Sequence, residues 1–297
     1  MILVIGSSNT DMVIKCDHLP APGETILGGN FFMNAGGKGA NQAVAAARLN
    51  GDVTFIAKVG NDVFGMQAVQ LFNKEKINTE YIFIDEKNPS GIALINVDTK
   101  GENAITVAQG ANGNLSVDDV STLEHVLQQA DIILAQLEIP IETIEYVATI
   151  AKQFNKTFIL NPAPACVLSD ELLSKISIIT PNEKEASMLT NINVVDIGSA
   201  KHAATILAGK GIETVIITMG EDGVLLYQQN EFNIIPTNKV TAVDTTAAGD
   251  VFNGALAVAL SEQKNMVDAV RFANTAASIS VTRLGAQASA PFRAEIV

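Results

Sequence analysis

The chain has 297 residues, 47% of them hydrophobic and 17% charged, with a formal net charge of −13 and a pI of about 4.6. That size and apolar content suffice for one large core or two smaller ones without metals or disulfides, and the acidity argues against a nucleic-acid backbone or an acidic membrane surface as partner, since both call for basic patches. No apolar run approaches the ~18 residues that cross a bilayer, no signal segment opens the chain, and Cys16 and Cys166 are too few for a disulfide framework or a zinc site; a cytoplasmic protein acting on a small ligand is expected.

Short apolar runs at 2–6, 53–57, 132–136, 157–160, 176–180 and 214–218 read as buried strands. The stretches 40–49, 65–76, 117–129, 141–154, 200–210, 249–261 and 266–282 carry apolar residues at helical spacing. This alternation predicts an α/β fold, a Rossmann-like three-layer sandwich around a mostly parallel sheet, whose ligands bind just beyond the carboxyl ends of the strands. Two stretches break it. About 12–34, with Pro20, Pro22 and the pair Gly28-Gly29, and 91–108, with the turn Asp98-Thr99-Lys100-Gly101, read as short antiparallel strands and turns; they are either surface loops or, as their β-branched content favours, a small β-sheet lid inserted into a single domain spanning 1–297.

The strand ends carry the polar groups. After the first strand, Asn9 and Asp11 are two apart and on an extended backbone point to one side, which suits a diol but also an ordinary turn. Gly36-Gly37-Lys38-Gly39-Ala40-Asn41 resembles a phosphate loop but fails the Walker spacing. Its glycines allow close backbone approach with Asn41 one turn into the helix, or make a plain turn, and Lys38 reads by default as solvated. Glu138, framed by Leu137 and Ile139-Pro140, is either a helix-start charge or a ligand group. Asn182 and Glu185 share one face of a helix start, fitting either a capping arrangement or a site for phosphate and Mg²⁺ waters. Thr218-Met219-Gly220-Glu221-Asp222-Gly223 reads locally as a hairpin turn, with room for a flat base as the alternative. Last comes Asp244-Thr245-Thr246-Ala247-Ala248-Gly249-Asp250, leading into an apolar helix. Four successive N–H groups from Ala247 to Asp250 would open that helix unpaired, a natural anion site. A carboxylate placed there repels a phosphate, so Asp250 is either a helix-start charge or a base for a hydroxyl that attacks a phosphoryl group.

Taken in order, Asn9-x-Asp11, GGKGANQA (36–43), Asn161-Pro162-Ala163-Pro164-Ala165, TPNEKEA (180–186), TMGEDG (218–223) and DTTAAGDVFNGAL (244–256) closely resemble the ribokinase/PfkB family of sugar kinases, its ribokinase branch in particular, from residue 1 to about residue 293. The resemblance implies the ribokinase-like fold and ATP-dependent phosphorylation of D-ribose at O5. It implies a sugar site at Asn9, Asp11, Gly37, Asn41 and Glu138, with Lys38 inside the same motif, and Asp250 as the base. It makes Ala247, Ala248 and Gly249 the anion hole, Asn182 and Glu185 the phosphate and Mg²⁺ groups, and Thr218, Gly220, Gly223 and Asn274 the nucleoside side of an ATP site. A potassium site is implied at Asp244, Thr246, Ser280, Arg283, Gly285 and Ser289, mostly through backbone oxygens. Val251 stands where Thr is commonest, with altered helix-start hydrogen bonding expected and little loss of chemistry. The alternatives are a kinase for 2-deoxyribose, fructose or adenosine, or a sugar-binding regulator without catalysis. Apolar lid strands call for cover, so a homodimer through the lid is expected.

Overall fold

The computed structural model describes residues 1–27 and 29–296; Gly28, half of the glycine pair noted above, and Val297 lie outside the described residues. In chain order the strands are β1 (Ile2–Ile5), β2 (Asn9–Lys15), β3 (Asn30–Gly36), β4 (Val53–Gly60), β5 (Ile82–Asp85), β6 (Gly91–Val97), β7 (Asn103–Ala108), β8 (Ile132–Ala135), β9 (Thr157–Leu160), β10 (Ile178–Ile179), β11 (Thr214–Thr218), β12 (Val224–Gln228) and β13 (Glu231–Ile235). The helices are α1 (Lys38–Arg48), α2 (Val63–Lys74), α3 (Val117–Ser121), α4 (Glu124–Gln129), α5 (Ile141–Gln153), α6 (Asp170–Leu173), α7 (Glu183–Thr190), α8 (Ile197–Gly209), α9 (Ala248–Ser261) and α10 (Met266–Ser280).

Period-two burial explains the layers. In β1, Leu3 and Ile5 enter one apolar core with residues of α5 and α8, whereas Ile2 and Val4 enter a second core with residues of α1, α9 and α10. Strands buried on both faces read as continuous apolar runs, and they form a nine-stranded sheet in the order β13-β12-β11-β10-β9-β8-β1-β4-β5. It is parallel from β11 to β5, and β12 and β13 extend it antiparallel at one edge. Chain order reverses between β1 and β8, which opens a crevice at their carboxyl ends.

The small sheet has the order β3-β2-β6-β7. It begins at Asn9 rather than near residue 12, because β2 runs straight out of the β1 loop and carries Asn9 and Asp11 into the second sheet. The β2–β6 pairing is parallel, so only part of the expected antiparallel arrangement holds. Ile14, Phe31, Met33 and Leu94 fall on one face by register and stay exposed.

Three elements depart from the sequence expectation. The helix over 117–129 is broken: Ser121 and Thr122 hydroxyls donate to the carbonyls of Asp118 and Asp119, and Leu123 leaves helical geometry (φ −111°, ψ 19°) as its side chain enters the core. The strand over 176–180 shrinks to two residues. The hairpin β12–β13 was not expected; its turn is Gln229-Asn230, both at positive φ (53° and 63°), which lacks the usual glycine signal.

Candidate active site

Helix α9 carries the site's central carboxylate. It is buried nearly all round, sandwiched between α1, α10 and the sheet, and Phe252 and Leu256 contribute roughly 1.5–3 kcal/mol each by leaving water. Gly254 lets α9 lie directly on α1, since a Cβ there would sit 2.6 Å from the Gln42 carbonyl oxygen. That contact brings Asp250 of α9 beside the first turn of α1. Asn41 Nδ2 donates to Asp250 Oδ2 at 2.9 Å and Gln42 Nε2 to Oδ1 at 3.0 Å.

Asp250 is 6% exposed. Burial raises its pKa and Glu138 adds to the rise, while Lys38 and the two amides work against it. Lys38 is not the solvated side chain expected from sequence. It is half-buried and lines the cleft with Asp250 and Glu185. Burial alone would lower its pKa, but Asp250, Glu138, Glu185 and Asp11 outweigh it and leave the ammonium above its ordinary value.

The start of α9 differs from a run of four free amides. Ala247 caps the helix in the left-handed region (φ 59°), and this turn bends the Ala248 N–H back to the Thr245 carbonyl at 3.3 Å. The N–H groups of Ala247, Gly249 and Asp250 have no protein partner among the described residues. Ala247 to Asp250 line a cleft of about 160 Å³ together with Lys38, Glu185 and Thr218. Val251 continues the helix, donating to the Ala247 carbonyl at 2.9 Å with its side chain in the core.

On β2, Asn9 is 8% exposed and its Oδ1 accepts from Asn112 Nδ2 at 2.7 Å. Its own amide N–H groups have no partner among the described residues, nor does the Asp11 carboxylate. Burial first, then Glu138 and Asp250, push the Asp11 carboxyl up to about 6, with Lys38 opposing. Gly37 joins β3 to α1 at φ 88°, where a Cβ would stand 2.7 Å from the Asn9 nitrogen. Glu138 Oε2 accepts from the Ser7 hydroxyl at 2.5 Å and from the Lys38 backbone N–H at 3.0 Å, so it ties the β1, β3 and β8 ends together.

Asn182 and Glu185 form a capping box. Asn182 Oδ1 accepts from the Glu185 N–H, and Glu185 Oε2 from the Asn182 N–H, both at 2.9 Å. Each keeps one side-chain atom for the cleft that both line. Burial raises the Glu185 pKa, with Lys38 opposing and Asp250 adding.

Gly220, Gly223 and Asn274 are not among the residues lining that cleft, although Thr218 is. They gather around the segment after β13. Asn274 donates to the Pro236 carbonyl and accepts from the Thr237 hydroxyl, which also reaches the Gly220 carbonyl. A Cβ at Gly223 would meet the Ile235 carbonyl at 2.4 Å.

Asp244 staples two loops. Its Oδ1 accepts from the Thr246 N–H and its Oδ2 from the Gly285 N–H, both at 2.9 Å, while the Val281 carbonyl accepts from the Val243 and Asp244 N–H groups. Burial opposes ionisation of Asp244, but hydrogen bonds from Thr246 and Gly285 bring its carboxyl below the ordinary value. The Ser280 and Ser289 hydroxyls bond to their own turns, at Ala277 and Ala286, and Arg283 pairs with Glu295.

Sequence reasoning assigned no role to Gln42, Gln136, Asn112 or Asn253. Gln136 Nε2 donates to Gln42 Oε1 at 2.6 Å, and Asn253 Nδ2 holds the Gly249 carbonyl at 2.8 Å. Gln42 lies inside the quoted 36–43 motif and Gln136 at a strand end, and those positions were the available signals.

The profile of the pfkB family carbohydrate kinases matches residues 1–293. The chain is 48% identical to a ribokinase of Haemophilus influenzae over 294 residues, covering 99% of this chain and 96% of the relative. It is 37% identical over 294 residues to a deoxyribokinase of Salmonella typhi, covering 98% and 95%. The solved structure of Arabidopsis thaliana ribokinase complexed with ribose and ATP superposes with a TM-score of 0.92 at 32% identity, covering 99% of this chain and 96% of that one. Fold, strand-end residues and relatives agree, and the chain belongs to the pfkB family of carbohydrate kinases.

Proposed function

We propose that this enzyme transfers the γ-phosphoryl group of ATP to O5 of D-ribose, giving D-ribose 5-phosphate and ADP. The observation that carries the reading is the buried Asp250 carboxylate at the head of α9, together with three amide N–H groups, of Ala247, Gly249 and Asp250, that have no partner among the described residues and belong to residues lining one cleft. Each Asp250 oxygen accepts one side-chain hydrogen bond and keeps a lone pair free. One of them takes the O5 proton as O5 bonds to the γ-phosphorus and the bond to the β-γ bridging oxygen breaks. The N–H groups of Ala247, Gly249 and Asp250, with Lys38, hold the charge on the transferring group.

The preference for ribose follows from the unpaired groups on β2. Asn9 keeps both amide donors and one lone pair of its oxygen, because Asn112 uses only the other, and Asp11 has only acceptors. Adjacent hydroxyls satisfy both. A 2-deoxy sugar leaves one group unpaired at a cost of roughly 1–3 kcal/mol, about 5- to 150-fold in kcat/KM. Gly37 and Asn41 shape the same pocket, and Glu138 fixes the loops around it.

The free oxygen of Glu185 suits Mg²⁺, which binds through few protein carboxylates and keeps part of its water shell. Glu185 would hold it through water, with Asn182 on the phosphates; the ion supplies neutralisation of phosphate charge. An ionised Asp244 and the carbonyls of Thr246, Ser280, Arg283, Gly285 and Ser289 suit K⁺, and would hold it where the two stapled loops meet, steadying the anion hole. Thr218, Gly220, Gly223 and Asn274 are proposed to border the nucleoside.

No helix among the described residues is long and apolar enough to cross a membrane. We place the enzyme in the cytoplasm as one catalytic domain whose small sheet closes over the sugar. The exposed face carrying Ile14, Phe31, Met33 and Leu94 is covered by the lid of a second copy, and a monomeric mass at micromolar concentration in solution would rule that out.

Asp250→Asn is the direct test. It should lower kcat by at least ~10²–10⁴-fold while ATP binding persists. Near-normal ribose-dependent ADP release by the variant would remove the base, and equal turnover of ribose and 2-deoxyribose by the wild type would remove the sugar assignment.

A further inference from the structure

We infer that Gln42, itself held in one orientation by Gln136, is the positioning residue for the Asp250 carboxylate; the inference rests on Asp250 being the base proposed above. Gln42 and Gln136 are fully buried, and neither lines the reaction cleft. Gln42 Nε2 donates both to Asp250 Oδ1 at 3.0 Å and to Asn161 Oδ1 at 3.1 Å, while its Oε1 accepts from Gln136 Nε2 at 2.6 Å. Only this orientation satisfies the three neighbours. Reversed, the Gln42 oxygen would face the Asp250 carboxylate, and its nitrogen would face the nitrogen of Gln136.

The far end of this relay is not built for stability. Gln136 Oε1 is buried with no partner among the described residues, which is unfavourable for folding. A Cβ at Gly6 would fall 2.1 Å from that oxygen, so the space for the Gln136 amide depends on the bare glycine at the end of β1. An apolar side chain of similar size would fit without the orphaned oxygen. What the glutamine adds is a donor aimed at Gln42. Asn161 extends the network through its Nδ2 to the Thr180 carbonyl, and the Thr180 hydroxyl to Asn253, which holds the Gly249 carbonyl. Carboxylate and anion loop are thus set by Gln42 and Asn253, which are held in turn by Gln136, Asn161 and Thr180 from the ends of β8, β9 and β10.

Four charged groups face Asp250: Lys38 from α1, Asp11 from β2, Glu138 after β8 and Glu185 from α7. Three of them are acidic and favour its protonation. The Gln42 donor favours the ionised form that a base needs.

The test is the pH profile of ribose-dependent ADP release, with Gln42→Leu, Gln136→Leu and the double variant. Gln42→Leu should lower kcat by ~10–100-fold and move its acid limb up by ~0.5–1 pH unit, since a protonated Asp250 is inactive and loss of the donor favours the proton. KM for ribose and ATP should stay within about threefold, because Gln42 touches neither substrate. Gln136→Leu should act in the same direction more weakly, with a melting temperature no lower than wild type. The double variant should match Gln42→Leu within about twofold, as Gln136 works only through Gln42. An unmoved acid limb in the single variants, or additive losses in the double, would overturn the inference. Should Gln42→Leu not fold, the Gln136→Leu limb alone decides. Full turnover by Asp250→Asn would instead sink the base assignment.

Discussion

Asp11→Asn should make the protein more stable and a poorer enzyme, and the sizes follow from its surroundings. The Asp11 carboxyl lies at about 6 against an ordinary 3.8, raised by burial first and then by Glu138 and Asp250. A folded-state value above the unfolded one means that the folded chain holds this proton more tightly. The ionised side chain therefore opposes folding. The penalty is absent below about pH 4, grows between pH 4 and 6, and is complete above that window. A gap of about two units corresponds to roughly 3 kcal/mol. With an unfolding entropy of ~2.1 cal/mol/K per residue over 297 residues, removing it raises the melting temperature by about 5 °C. Calorimetry of the sugar-free protein should show that gain at pH 8 and none at pH 4. In the wild type, ribose KM should rise as pH falls through 6, approaching tenfold per further unit, because the sugar hydroxyls donate to the ionised form. In the variant KM should be high and flat over the same range. An equal gain in melting temperature at both pH values, or an unchanged ribose KM in the variant, would refute the reasoning.

Two further outcomes test the neighbouring geometry. A Cβ at Gly36 would fall 2.3 Å from Asp11 Oδ2, and the carboxylate can swing aside more easily than the backbone can move. Gly36→Ala should therefore raise ribose KM by about tenfold or more, on the scale of one charged hydrogen bond, with little change in melting temperature; an unaffected KM would show that the present pose of Asp11 is unimportant. Turnover should be higher in K⁺ than in Na⁺ at equal ionic strength, and Asp244→Asn should erase the difference; identical rates of the wild type in both salts would remove the cation site.

The sheet and its flanking helices were legible because strands buried on both faces leave continuous apolar runs, as in Ile2–Ile5 and Ile132–Ala135. The chemistry was legible in part because Asp250 is an odd residue at a helix start that also suits an anion. What stayed hidden depended on contacts distant in sequence. Lys38 looks solvated until Asp11, Glu138, Glu185 and Asp250 arrive from four other segments. Gln42 is one amide in an alanine-rich helix until Gln136, 94 residues away, reaches it. The bend at Leu123 and the Gln229-Asn230 turn show the opposite limit: weak local signals were overridden by burial and by a turn that tolerates positive φ without glycine.

The charges around the site pose a question that the acidic chain makes sharper. Asp11, Glu138, Glu185 and Asp250 face one ammonium, Lys38, which leaves a net charge near −3 when all are ionised. The amides at the head of α9 offer only about half a positive charge. A nucleotide triphosphate without a divalent ion therefore enters against a repulsive field, and its positive complement has to be bound or carried in. This predicts an unusual salt dependence. With chelator present, the affinity for ATP should rise severalfold as tetramethylammonium chloride goes from about 20 to 200 mM, because the Debye length shortens and repulsion is screened. A basic nucleotide site would weaken over the same range. With Mg²⁺ added the dependence should flatten, since the metal reduces the charge of the nucleotide and Glu185 gains a partner. Titration calorimetry at both salt levels decides the matter. Affinity that falls with salt in chelator would mean that attraction by Lys38 and the α9 amides dominates, and that the carboxylates are protonated or turned away from the phosphates.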